Sequence, residues 1–148
     1  MLTETLKKLF NRDLNKLRSE IEAYKIESNL WVINKEIVNS AGNLCLHLIG
    51  NLNTYIGATL GGTNYIRNRE LEFSLKDIPR QQLIEMIEAT ITVVNDTLDK
   101  VTVEQIEGEY PLLVFQEKSS TEFFLVHLTT HLNYHLGQIN YHRRLLDI

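Results

Sequence analysis

The sequence predicts an all-α fold, a four-helix bundle with one long crossover. Three observations carry that expectation. Four segments place apolar residues at spacings of three and four, the period of an amphipathic helix. Only two prolines and seven glycines punctuate 148 residues, too few for the turn every ten residues or so that an all-β sandwich needs. One stretch between the third and fourth segments loses the helical period and supplies the crossover. With 43% hydrophobic and 23% charged residues, the composition is that of a globular chain, and this length buries one core. A single domain over 1–148 is therefore expected.

The first helix is expected from Thr3 to Tyr24. Leu6, Leu9, Phe10, Leu14, Leu17 and Ile21 form its apolar side, and lysines and acids fill the other. A loop then passes Trp31 and reaches Ser40, whose hydroxyl suits an N-cap. The second helix follows from Ala41 to about Leu60, where Gly61-Gly62 stops it. The charged connector RNRELEF, Arg67 to Phe73, reads as a salt-bridge network within the chain or between subunits. The third helix starts near Pro79, which a first turn tolerates, and continues through Leu83, Met86, Ile87, Ile91, Val94 and Leu98. Its valines and threonines make it dependent on packing. From Val101 to Glu117 the pattern breaks, and IEGEYPLLVF reads as a short hairpin or an extended crossover. The fourth helix spans Thr121 to Leu146 behind a Ser119-x-x-Glu122 capping box.

Charge and cysteine usage exclude several function classes. Fifteen Lys and Arg against nineteen Asp and Glu give a net charge of -4, the wrong balance for a nucleic-acid binder. The single cysteine forms no internal disulfide and fits a reducing compartment. No stretch approaches the ~18 apolar residues of a membrane span. MLTETLKKLF is not a signal peptide, so a cytoplasmic protein is expected.

The five histidines are where chemistry concentrates. Four lie on the fourth helix. At about 100° per residue, His127, Gln138, His131, His142 and His135 fall within an arc of about 80°, beside the apolar arc of Leu125, Leu128, Leu132, Leu136 and Ile139. His131 and His135 have the i, i+4 spacing of HExxH metal sites, although Leu132 occupies the glutamate position and the metalloprotease motif is absent. Such a pair alone is more often solvated than metal-bound. On the second helix, Asn43, His47, Asn51 and Thr54 share a face beside Leu44, Leu48, Leu52 and Ile56. Where the two faces meet in a bundle, three imidazoles can surround one cation. Three neutral histidines with an open fourth position are the arrangement of a catalytic zinc, and imidazoles also suit nickel, iron or copper. Asn43, Asn51, His127 and Gln138 are the candidates to support the ligands; Gln138 either bonds a ligating imidazole or water, or faces solvent. His127 and His142 read as neighbours of the site or surface residues. Cys45 points about 200° from His47 and reads as a core residue. Arg143 and Arg144 read as charge complementing a helix C-terminus.

The motifs also carry a resemblance. HLNYHLGQI, His131 to Ile139, resembles the HxxxHxGQI signature on the last helix of the DinB/YfiT-like superfamily. NSAGNLCLHLIGNL, Asn39 to Leu52, resembles the second-helix motif of one functionally unassigned branch, and RNRELEF resembles the charged segment that follows it there. With Trp31 ahead of the second helix, the likeness spans nearly the whole chain. It implies a DinB-like four-helix bundle, a divalent metal (Zn, Ni or Fe) held by His47, His131 and His135, and a homodimer. Some relatives are thiol-dependent S-transferases or isomerases using a low-molecular-weight thiol such as bacillithiol or mycothiol. Leu136 stands where many relatives carry Arg, which withdraws support for an anion or thiol-cofactor contact there.

Two functional expectations follow. One is a metal-dependent transferase or hydrolase acting on a small molecule, through a thiol or water that the metal deprotonates. The alternative is a non-catalytic homodimeric bundle that binds metal weakly or binds a protein partner. Nucleic acid is not an expected partner.

Overall fold

Apolar periodicity becomes helix in the computed structural model, which describes residues 2–148. The long helices are α1 (Leu2–Glu22), α2 (Ala41–Leu52), α4 (Arg80–Lys100) and α6 (Thr121–Leu146), with the short helices α3 (Arg69–Ser74) and α5 (Val103–Glu107) in the connections. Helix α1 packs on α4 and α6, and α2 packs on the same two, so α1 and α2 face each other across the bundle diagonal. Leu6, Phe10, Leu14, Leu17 and Ile21 of α1 meet Leu83, Ile87, Val94 and Leu98 of α4 and Leu125, Leu128, Leu132 and Ile139 of α6 in one buried core. Each such side chain contributes roughly 1.5–3 kcal/mol on burial. Among the described residues no helix is long and apolar enough to cross a membrane.

Helix α2 is buried on every side, because α3 and a 3-10 turn at Glu27–Trp31 cover what α4 and α6 leave open. Ser40 caps it by accepting the Asn43 N–H at 3.2 Å. Near its start the Trp31 ring occupies the space a Cβ on Gly42 would need, 2.6 Å from that position. The ring therefore lies directly against the α2 backbone.

Several boundaries differ from expectation, each for a local reason. The second helix does not continue as α-helix to Leu60. From Asn53 to Ala58 it widens into a π-turn, with i→i+5 bonds from Thr59 N–H to the Thr54 carbonyl (3.0 Å) and from Gly61 N–H to the Ile56 carbonyl (2.9 Å). Gly62 then adopts φ +67° and ends the run, as a glycine at a helix end can without strain. The charged connector folds into α3, capped by Asn68, which accepts from the Leu71 N–H. Pro79 stands one position before α4, and its carbonyl accepts from Gln82 and Leu83.

The stretch after α4 holds α5, capped by a reciprocal Thr102–Gln105 pair, and then a single antiparallel bridge between Glu109 and Ser120. Tyr110 N–H bonds the Ser119 carbonyl at 2.8 Å, and Thr121 N–H bonds the Gly108 carbonyl at 2.9 Å. That pairing holds Ser119 outside the helix, so the Ser119–Glu122 box does not form. Ser120 caps α6 instead, accepting the Phe123 N–H at 3.1 Å.

The far end of α6 is tied to the loop after α1. His142 is buried, not on the surface: its Nδ1 accepts from the Tyr24 hydroxyl at 2.6 Å, and its Nε2 donates to the Val32 carbonyl at 2.7 Å. A carbonyl can only accept, which assigns the proton to Nε2. Asp147 accepts from the Lys25 and Ile26 N–H groups and from the Asn29 amide. Arg143 pairs with Glu20 of α1 at 2.7 Å and so joins two helices, while Arg144 lies over the Tyr141 ring.

Two expected outcomes test this end of the bundle. Tyr24→Phe leaves the buried His142 Nδ1 without a donor and should cost about 1–3 kcal/mol of unfolding free energy in urea denaturation. Burial also lowers the His142 pKa, against the bond to Val32, so the folded state favours the neutral ring. Its contribution is present above the unfolded value of about 6.5 and is lost as pH falls through the lower folded value. Unfolding free energy should therefore decline from pH 7 to pH 5, with a shallower slope in His142→Gln.

Candidate metal centre

Because α2 is buried all round, its polar stripe must find partners inside the protein. His47 lies where that stripe meets α6 and α3. Its Nε2 is 3.2 Å from Nε2 of His131, and its ring stands edge-on to those of His131 and His135, with centroids 5.1 and 5.2 Å away. His131 and His135 are one helical turn apart, with centroids 4.6 Å apart. One nitrogen from each of the three rings lies within 4.8 Å of the others. Among the described residues no fourth His, Cys, Asp or Glu joins that group.

Two of the rings are oriented from behind. Glu72 accepts from His47 Nδ1 at 3.1 Å, and Gln138 Oε1 accepts from His135 Nδ1 at 2.7 Å. An ionised carboxylate only accepts, so His47 carries its proton on Nδ1. Arg67 also approaches that nitrogen, at 3.3 Å, but its fork is already satisfied by two 2.9 Å bonds to Glu72. This tautomer leaves the His47 Nε2 lone pair facing His131. A ligating imidazole commonly donates its other N–H to a carboxylate or carbonyl in this way.

Glu72 is 6% exposed. Burial would raise its pKa, yet the bonds from His47 and Arg67 and the Arg67 charge hold it below the usual carboxylate range. Its carboxylate can come this close to α2 only because residue 50 is glycine, since a Cβ there would sit 1.9 Å from Oε2. His131 is pushed down to about 4, first by burial and then by the neighbouring histidines. Burial likewise lowers His135. Both rings are neutral near pH 7, the protonation state that metal ligands need.

The residues fit a divalent cation. The donors are imidazoles, those of His131 and His135 neutral near pH 7, they converge, and His131 Nδ1 is buried with no partner among the described residues. Beside them a cavity of about 270 Å³ is lined by His47, Asn51, Arg67, Arg69, His127 and His131, among others. The supporting candidates separate. Gln138 bonds His135, and Asn51 and His127 face the cavity. Asn43 turns toward the connector, donating to the Glu72 and Leu75 carbonyls at 3.0 and 2.8 Å. Cys45 is fully buried, and burial alone pushes its thiol up to about 12. Glu72 is the site residue that sequence reasoning missed. Its signal lay in RNRELEF, read as a salt-bridge network; the ion pair is there, but it ends on a histidine.

The family described as "Protein of unknown function (DUF1572)" matches residues 3–147. The chain belongs to the DUF1572 family. A crystal structure of a conserved protein from Enterococcus faecalis is similar to this DUF1572 chain in fold, with a TM-score of 0.77 and 16% sequence identity. The likeness covers 97% of this chain and 96% of that one. No curated protein matches the sequence.

Removing the carboxylate behind His47 tests the arrangement. Glu72→Ala should weaken zinc binding about 10–100-fold in a competition titration, and Gly50→Ala should act in the same direction by displacing Glu72. Unchanged affinity in Glu72→Ala would separate the carboxylate from the site.

Proposed function

We propose that this DUF1572 chain is a metal-dependent enzyme of the DinB/YfiT-like type, transferring a thiol to a small molecule or hydrolysing one. The observation that supports the reading is the convergence of three imidazoles beside a cavity that His47 and His131 line, with no fourth protein ligand in the group among the described residues. A structural zinc site is closed by four protein ligands, whereas a catalytic one keeps a position for water or substrate. His47, His131 and His135 would hold the cation. When bound, it supplies Lewis acidity that brings a thiol or water to its nucleophilic form near neutral pH.

The chain's own residues do the rest. Glu72 accepts a hydrogen bond from His47 Nδ1–H and keeps that ring in one tautomer. Gln138 does the same for His135. Arg67 balances the Glu72 charge, so the carboxylate stays ionised while buried. The apolar neighbours Phe124 and Leu128, which are buried and line the cavity, exclude bulk water from one side. Low access to water strengthens each electrostatic contact made inside.

The bland alternative is a helical bundle in which His131 simply donates Nε2–H to His47 Nε2 across their 3.2 Å contact. Elemental analysis separates the two. Freshly purified protein should carry about one divalent ion per chain and His47→Ala none; a stoichiometric ion retained by His47→Ala would overturn the assignment. Thiol-transfer and hydrolysis rates should fall with the metal.

A further inference from the structure

Arg67 and Arg69 lie two residues apart and line the same cavity, but their charges have different fates. Arg67 spends its fork on Glu72. Arg69 has no ion pair or hydrogen bond among the described residues; its guanidinium lies over the Phe73 ring, 5.7 Å from the centroid. Such stacking occupies the face of the guanidinium and leaves its edge donors free. Two further polar groups on the same wall also lack partners. Asn51 is 6% exposed, and its amide nitrogen donates no hydrogen bond among the described residues. Among the described residues neither ring nitrogen of His127 has a hydrogen bond, the ring being held instead against Phe115 at 4.8 Å.

An N–H donor without a partner in the fold is free to bond an acceptor on a bound ligand. Here one exposed cation without an ion pair, one buried amide and one half-buried imidazole line a single cavity. With Glu72 neutralised by Arg67, the wall carries net positive charge in a chain of net charge -4. Arginine matches oxyanions through paired N–H donors. Val114 and Phe124 offer apolar surface for the carbon part of a ligand. A cavity of about 270 Å³ falls just below the ~300–1,000 Å³ of drug-sized sites, so the ligand is small.

We infer that the substrate of this site is a small molecule bearing a carboxylate or phosphate, held at that end by Arg69 with Asn51 and His127 beside it. The inference rests on the proposed metal site for the substrate's reacting end, and the anion subsite is assigned by residues outside the three ligands.

The test uses the full chain, metal-free and zinc-loaded, titrated with inorganic phosphate and separately with propionate at constant ionic strength. The His127 and His131 ring signals are followed by NMR. Saturable shifts are expected, with affinity falling about tenfold or more in Arg69→Gln and partly restored in Arg69→Lys. Arg69→Gln should keep wild-type zinc stoichiometry and melting temperature. The tighter of the two probes names the anion class. Non-saturating shifts with both probes, or equal affinity in wild type and Arg69→Gln, would overturn the inference. So would binding that needs zinc and ignores Arg69, because the ion itself would then be the anion site. Arg69-dependent binding in a chain that takes up no zinc would refute the metal reading and uphold the subsite.

Discussion

A carboxylate buried at 6% exposure survives only where its charge and lone pairs are answered, and Glu72 is answered on both sides. Arg67 grips it with a two-pronged bond, His47 donates to it, and Gly50 leaves it room. Breaking a buried pair by removing one partner typically costs about 3–5 kcal/mol, even where the intact pair adds little net stability. The interaction therefore acts chiefly as a specification. It holds α3 against α2, sets the His47 tautomer, and leaves the exposed Arg69 as a cation of the adjoining cavity with no ion pair among the described residues.

The same constraint explains the unusual burial of α2. A helix buried on every side is normally apolar all round, yet this one carries Ser40, Asn43, His47 and Asn51 along one edge. The connector supplies partners for most of that edge. Asn43 is met by two backbone carbonyls and by Lys76, and His47 by Glu72. The Asn51 side chain finds no hydrogen-bond partner among the described residues. A ladder of satisfied groups thus ends, at the wall of the cavity, in one that is not.

Much of the fold was legible because helical period is a local property. The bounds of α1, α4 and α6 and the Ser40 cap follow from residues within one or two turns. The π-turn at Asn53–Ala58 was not legible, since a shift from i→i+4 to i→i+5 bonding leaves no mark in apolar spacing. Bringing His47 to the His131–His135 pair was foreseeable from two matching stripes. The separate fate of His142 was not, because an angular projection discards height along the helix. His142 shares the arc of His135 but lies seven residues on, about 10 Å along the axis, where Tyr24 and the Val32 carbonyl receive it. Glu72 was hidden for a different reason: a six-residue helix brings it to His47, a contact made by tertiary packing alone.

The contact between Trp31 and Gly42 gives the protein an internal optical gauge. Trp31 is the only tryptophan in the chain, and its ring rests on the backbone of the helix that carries His47. Indole emission responds to how closely its surroundings exclude water. Any event that loosens or tightens the seating of α2 is thereby written into one fluorescence signal, at a distance from the histidines and without a label. The side chain that closes one end of the core also makes the state of the candidate site readable from outside.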